Sequence, residues 1–240
     1  MQNPWINLPT AKPYLLDIDQ DWEQDYSRIL EKRASKYDPE RQKNFLSRYK
    51  LHLEEMPIPY YGDPNLATVA ILQANPGHDP KEQINPLVDE YLEYNRENLL
   101  HKNSRPLYSM SPHFRSWQYK DGTLGKCWYW KRTRELREVG GWEQISKKLI
   151  YLEFFPYRSI SLFYPKKLPP SQEYTFALLR EMIKRNVWII ATRMKSKWIE
   201  HVPELSGYER LLSLHSSQNV TLSRKNIGDK FDDIIKSFTI

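Results

Sequence analysis

Four short apolar runs, each ended by a polar or turn-forming break, most constrain what this chain can fold into. They are Ala67-Thr68-Val69-Ala70-Ile71-Leu72, Lys148-Leu149-Ile150-Tyr151-Leu152, Val187-Trp188-Ile189-Ile190-Ala191 and Leu211-Leu212-Ser213-Leu214. A brief run without polar alternation is the mark of a strand covered on both faces. Helical patterns lie between the runs. Ser171 to Arg185, entered after Pro169-Pro170, places Phe176, Leu179 and Ile183 on one face. Shorter helices are expected over 195–201 and 229–238. Strands alternating with helices predict an α/β domain, a three-layer α/β/α sandwich with a four-stranded parallel sheet. In such sheets ligands bind beyond the carboxyl ends of the strands. The polar signals gather at those ends: Asn75-Pro76-Gly77-His78-Asp79, Glu153, Thr192-Arg193 and His215-Ser216-Ser217.

Residues 1–57 read differently, as a helical N-terminal extension packed on a main domain over 58–240. Asp19 is placed to cap a helix over 20–36 with Trp22, Tyr26, Ile29 and Leu30 on one face. A second helix is expected over 39–54, with Phe45, Leu46 and Tyr49 inward. No apolar run approaches the ~20 residues of a membrane span. The start, Met1-Gln2-Asn3-Pro4-Trp5, lacks the basic and apolar regions of a secretory signal, so a cytoplasmic location is expected. Cys127 is the sole cysteine, which excludes an intramolecular disulfide framework and an all-cysteine metal site. His78, His101, His113 and His201 have no metal-ligand spacing with carboxylates.

The net charge is +6, and its distribution says more than its sum. Nine of the Lys and Arg residues fall in 102–137 (Lys102, Arg105, Arg115, Lys120, Lys126, Lys131, Arg132, Arg134 and Arg137) against Asp121 and Glu135. Tyr108, Phe114, Trp117, Tyr119, Trp128, Tyr129 and Trp130 are interleaved with them. Cations hold phosphates and aromatic faces stack bases, so the mixture suits nucleic acid. A solvated basic helix with core aromatics is the plainer explanation.

Two stretches, in the right order and spacing, resemble motifs of the uracil-DNA glycosylase superfamily, in particular its mismatch-specific branch. Gly62 to Gly77 resembles the first-strand motif, an apolar strand running into Asn-Pro-Gly. Leu212-Ser213-Leu214-His215-Ser216-Ser217-Gln218-Asn219-Val220 resembles the late His-Pro-Ser motif, with Ser216 in place of the proline. A middle strand ending near Phe155-Pro156-Tyr157 fits between them. Nothing before residue 57 takes part in the resemblance.

The resemblance implies a glycosylase-like fold acting on DNA by flipping a base and hydrolysing its N-glycosidic bond, as a monomer without metal or cofactor. Asn75 then holds the attacking water, with Asp79 as an alternative, and His215 donates to the leaving base. Ser216, Ser217, Asn219, Arg132, Arg134 and Arg193 are the expected DNA contacts, and Val220 or Leu222 the apolar wedge. Phe154 and Glu153 are placed at the base. Glu153 stands where the family commonly has Asn. An ionised Glu only accepts hydrogen bonds, which points to a modified or amino-bearing base rather than plain uracil. Pairing with Arg158 or Arg193 is the alternative for Glu153. The stacking aromatic is unplaced among Phe114, Trp117, Tyr119 and Trp128. A catalytically silent nucleic-acid-binding module on the same fold, and a hydrolase of free nucleosides or nucleotides, are the other functions weighed.

Overall fold

The computed structural model describes residues 1–78, 88–102, 128–216 and 218–239. In chain order the elements are α1 (Gln20–Ala34), α2 (Pro39–Tyr49), β1 (Tyr60–Tyr61), β2 (Val69–Gln73), α3 (Val88–Leu99), α4 (Trp128–Arg132), α5 (Arg134–Gly140) and α6 (Trp142–Lys148). They continue with β3 (Leu149–Glu153), α7 (Gln172–Lys184), β4 (Trp188–Ala191), α8 (Lys195–His201), β5 (Leu211–Ser213), α9 (Arg224–Ile227) and α10 (Phe231–Ser237).

The sheet has five strands in the order β1-β3-β2-β4-β5, which corrects the expected four-stranded, all-parallel sheet. β2 pairs in parallel with β3 and β4, and β4 with β5. β1 adds an antiparallel edge on β3, with Tyr60 opposite Leu152. Its backbone is tied from the side by Asn98, which donates to the Tyr60 carbonyl and accepts from Gly62 N–H, both at 2.9 Å. Gly62 follows at φ +128°, where a Cβ would sit 2.6 Å from the Leu149 carbonyl, so only glycine fits the turn.

Strand alternation sends successive residues to two separate cores. Ala70, Leu72, Ile150, Leu152, Ile189 and Ala191 meet α1, α7 and α8 through Trp22, Tyr26, Phe176, Leu179 and Trp198. Val69, Ile71, Leu149, Tyr151, Trp188 and Ile190 meet the opposite layer through Tyr94, Leu136, Ile145, Ile227, Phe231 and Ile234. Helices therefore cover both faces. The chain passes from β2 to β3 on one side and then crosses to β4 on the other, so the sheet changes winding direction between β2 and β4. That is where crevices open in doubly wound sheets.

The N-terminal helices share the first of these cores. Trp22 lies 5.3 Å from Phe155 and 6.1 Å from Tyr157, ring centre to ring centre. Its indole N–H donates to the Lys167 carbonyl at 2.8 Å. Trp22, Tyr26 and Leu30 are buried, but Ile29 is 41% exposed. α2 ends at Tyr49 rather than 54. Asp19 does not cap α1 with its side chain. Its carboxylate is fully buried and accepts from the Tyr157 hydroxyl at 2.6 Å and from Ser171 N–H at 3.0 Å. Two buried donors outcompete a solvent-facing cap, and burial raises the Asp19 carboxyl above its usual range despite both bonds.

Val220 and Leu222, expected as wedges, are 3% and 1% exposed and belong to the second core. An intercalating wedge must be free to enter the stack, and these side chains are holding α9 and α10 to the sheet.

Asp19→Ala would leave the Tyr157 hydroxyl and the Ser171 amide buried without a partner. It should cost about 2–3 kcal/mol, read as a lower urea midpoint, whereas Asp19→Asn, which keeps an acceptor oxygen, should cost less.

Candidate functional site

Three loops converge at the carboxyl end of β2 and β3. Pro76 and Gly77 turn the chain out of the sheet after Asn75. The Asn75 amide nitrogen donates to the Ser159 carbonyl, the Ser159 hydroxyl oxygen and the Pro76 carbonyl, each at 3.1 Å. Its side-chain oxygen accepts no hydrogen bond among the described residues and is left to take one from a ligand or water. Arg158 ties the loops together. Its guanidinium donates to the Gly77 carbonyl at 2.9 Å and the Met56 carbonyl at 3.2 Å, and lies 3.6 Å from Glu55. His78 Nδ1 sits 2.9 Å from Glu55, and its ring stacks on His52 at 3.4 Å and 5°. His52 Nδ1 in turn sits 2.9 Å from Glu54.

Glu153 and Gln73 are the last residues of β3 and β2, and they are directly opposite in register. Alternation turns both toward the face of Tyr151 and Ile71. They are 2% and 8% exposed. Glu153 Oε2 and Gln73 Nε2 are buried and neither has a hydrogen-bond partner. A buried polar group without a partner costs about 1–3 kcal/mol, so two side by side mark a place where a ligand would recover that cost. Glu153 forms no ion pair with Arg158 or Arg193 among the described residues. Burial pushes its carboxyl well above the usual carboxylate range, and the Arg158 charge only partly opposes that. Burial thus works against the ionised, acceptor-only form and toward the acid, which carries a donor as well as an acceptor. The hydroxyl of nearby Tyr129 is also pushed well up by burial, with the Tyr91 and Glu153 charges adding to it.

The loop after β5 is built around Asn226. Its side chain accepts from Ser216 N–H at 2.7 Å and donates to the carbonyls of Asn219 and Thr221 at 2.6 and 2.9 Å. His215 is exposed, with Nδ1 at 3.1 Å from the Lys225 carbonyl. A carbonyl only accepts, so Nδ1 carries the proton and the neutral ring has a bare Nε2. Neutral His215 therefore cannot donate from Nε2 in this arrangement; only the imidazolium can. Gly228 packs on that edge of the ring, where a Cβ would stand 3.1 Å from Cε1.

The remaining expected contacts separate. Ser216 Oγ accepts from Asn219 N–H at 3.1 Å. Arg132 donates to Asn219 Oδ1 at 2.9 Å and stacks over Trp128 at 5.6 Å, which anchors α4 to the loop after β5. Arg134 is exposed and pairs with Glu138 at 2.8 Å. Arg193, just past β4, is exposed at the carboxyl edge of the sheet. Phe154 points away from Glu153 into the first core, between Tyr164, Phe176, Trp198 and His201. It is fully buried, so it packs the interior rather than offering a face to a base. Asp79, Ser217, Phe114, Trp117 and Tyr119 lie outside the described residues. Asn75 follows β2 and His215 follows β5, with β4 between those strands, and among the described residues the two bond to different loops and share no partner. Gln73, His52, Glu55 and Ser159 were not singled out from the sequence. Gln73 closes an apolar run, and the other three reach the site only through folding.

Glu153 also makes a pH prediction. Its folded value lies above the unfolded one, so the folded chain retains a proton that the unfolded chain has released. That contribution to stability is fully present below about pH 4.5 and is lost as pH rises through the folded value, at up to about 1.4 kcal/mol per pH unit. Glu153→Gln should remove this part of the slope, so urea unfolding of the two proteins should diverge between pH 5 and 7, with the variant the less pH-sensitive. Comparison of the chain with family models, with curated proteins and with solved structures returned no match.

Proposed function

We propose that this chain is a DNA glycosylase-like hydrolase that takes up a flipped base and cleaves its N-glycosidic bond. The observation that carries the reading is the pair of buried, unpartnered polar atoms on Gln73 and Glu153, at the carboxyl ends of β2 and β3, with Gln73 two residues before Asn75 in the chain. A base edge is a planar row of donors and acceptors, and an amide next to a neutral carboxyl offers both kinds. The neutral acid can donate to N3 of a cytosine-type base while accepting from its N4–H₂ group. It can equally donate to O4 of a uracil-type base and accept from N3–H. An amino-bearing or modified base remains the proposed target, with uracil as the competitor the assay must include. Asn75, its nitrogen held by Ser159, turns an acceptor oxygen toward the position of an attacking water. Arg193 and the basic segment around α4 support DNA as the polymer that carries the base.

One observation favours a silent nucleic-acid-binding module instead. The Lys225 carbonyl holds His215 in the tautomer that cannot donate to a leaving base while neutral. Such a module would bind DNA with a steep salt slope and leave every base in place.

The deciding measurement is abasic-site formation on oligonucleotides that each carry one modified, mismatched or uracil base. Cleavage after at least one base is expected, with Asn75→Ala lowering the rate about 10²-fold, the scale for losing one preorganised group. No abasic sites on any oligonucleotide, with DNA still bound, would establish the silent module.

Charge reversal at Arg193 should weaken binding alike for all sequences and reduce the slope of log K against log salt by about one. Arg132 is the wrong residue for that test, because its guanidinium holds Asn219 and Thr221, and its loss would disturb the loop as well as the charge.

A further inference from the structure

The loop after β2 carries a titratable residue, His78, that the proposed reading leaves without a role. His78 and Glu55 face each other at 2.9 Å with side chains only 8% and 9% exposed. An ionised carboxylate only accepts, so the bond places the proton on Nδ1 and leaves Nε2 of the neutral ring as a bare acceptor. Nε2 of His78 has no hydrogen-bond partner among the described residues, whereas Nε2 of the stacked His52 is buried without one. His52, sealed at that nitrogen, is closed to a proton from outside, so His78 is the member of the pair left to take one.

The ring is held on every side that the described residues supply. His52, tied to Glu54, covers one face at 3.4 Å. Arg158 stands 3.6 Å from Glu55 and grips the carbonyl of Gly77, the residue before His78. It also donates to the carbonyl of Met56, the residue after Glu55. One guanidinium thus fixes the two members of the dyad relative to each other. The charged and titratable groups facing His78 are Glu55, His52 and Arg158, with Glu54 acting through His52. A base oriented by a carboxylate, open at its far nitrogen and three residues from Asn75, has the layout of a proton acceptor.

We propose that His78, oriented by Glu55, accepts the proton of the water that attacks the sugar. The inference rests on the glycosidic-hydrolysis reading and supplies what Asn75 lacks, since an amide oxygen can hold a water but cannot take its proton. As the water oxygen bonds to C1′, the C1′–N bond breaks and its electron pair leaves on the base. The water proton passes to His78 Nε2, and the imidazolium then returns a proton to the departed base or to solvent. Glu55 is a positioning residue: it acts only through the imidazole.

The test is the single-turnover excision rate against pH, on an oligonucleotide that the unmodified protein cleaves. His78→Asn keeps a donor for Glu55 and removes Nε2. It should lower the rate about 10²-fold and abolish the fall in rate at acid pH, with oligonucleotide affinity and melting temperature unchanged. Glu55→Gln should displace the acid limb of the profile while affinity stays the same. His78→Asn cleaving at the unmodified rate, with its acid limb intact, would overturn the assignment and leave the dyad as a clamp between loops. A variant that loses melting temperature and affinity in step with rate would overturn it too. An unmodified protein that makes no abasic sites on any substrate would instead bring down the glycosidic reading, and this inference with it.

Discussion

β2 is the constraint on which the rest depends. It is hydrogen-bonded along both edges, to β3 and β4, and all five of its residues are buried. A strand with no open edge and no wet face can present chemistry only where it ends. The chain leaves it through Gln73, Ala74 and Asn75, and the polar groups of three loops crowd around that exit. Placing two cores on opposite faces of one central strand therefore also decides where a ligand can meet polar atoms. The same burial that stabilises the sheet withdraws water from Gln73 and Glu153.

That withdrawal has a cost, and the surrounding contacts show how the fold sustains it. Arg158, itself only 6% exposed, satisfies carbonyls on two loops and stands against Glu55. Ser159 holds Asn75, and its amide N–H points at the Pro76 carbonyl at 3.4 Å. His52 N–H donates to the Arg158 carbonyl at 2.9 Å. The N-terminal helices supply part of this support: Asp19 grips Tyr157, immediately before Arg158, and Trp22 stacks on the same ring. A segment that reads as an extension thus buttresses the loop that anchors Asn75. With that loop rigid, the unpartnered atoms of Gln73 and Glu153 persist as a local excess of binding potential instead of collapsing onto each other.

The parts legible in the sequence were those governed by local pattern. The four apolar runs became β2 to β5 because continuous burial leaves a continuous run, and α7 followed its amphipathic spacing. β1 was invisible. Two tyrosines after Pro57-Ile58-Pro59 have no strand pattern of their own, and they pair with β3 because the Asn98 side chain holds the turn from a distant helix. Asp19 has the right residue type for a cap, but a buried hydroxyl and amide compete better for its oxygens. Val220 and Leu222 follow a candidate DNA-contact loop, yet apolar residues beside an unfilled core are drawn into it. At the site, Asn75 and Glu153 could be placed because strand ends are visible as breaks in hydropathy. The ionisation of Glu153 could not, because it depends on how completely other segments exclude water. Glu55 and His52 lie in a stretch with no distinguishing pattern and reach His78 only in three dimensions.

The two ends of the carboxyl edge differ in what they can do with a proton. Around β2 and β3, carboxylates face imidazoles, and a neutral acid stands beside an amide. There, donors and acceptors can be assigned without any net charge on the ligand. Around β5, a backbone carbonyl fixes His215, an asparagine side chain organises the loop and Arg132 crosses from α4. That end offers cations, amides and hydroxyls, with the Asn226 amide nitrogen already spent on the carbonyls of Asn219 and Thr221. In the proposed hydrolysis the developing negative charge on the base must be met by a donor. The acid form of Glu153, which burial favours, can supply one, whereas the His215 proton is engaged on Nδ1 by the Lys225 carbonyl. Burial works toward the acid form of Glu153, and a carboxylic acid carries a donor and an acceptor side by side. On the proposed reading, recognition and leaving-group stabilisation fall to one carboxyl on the β2–β3 side, and the β5 side is left for the backbone that carries the base.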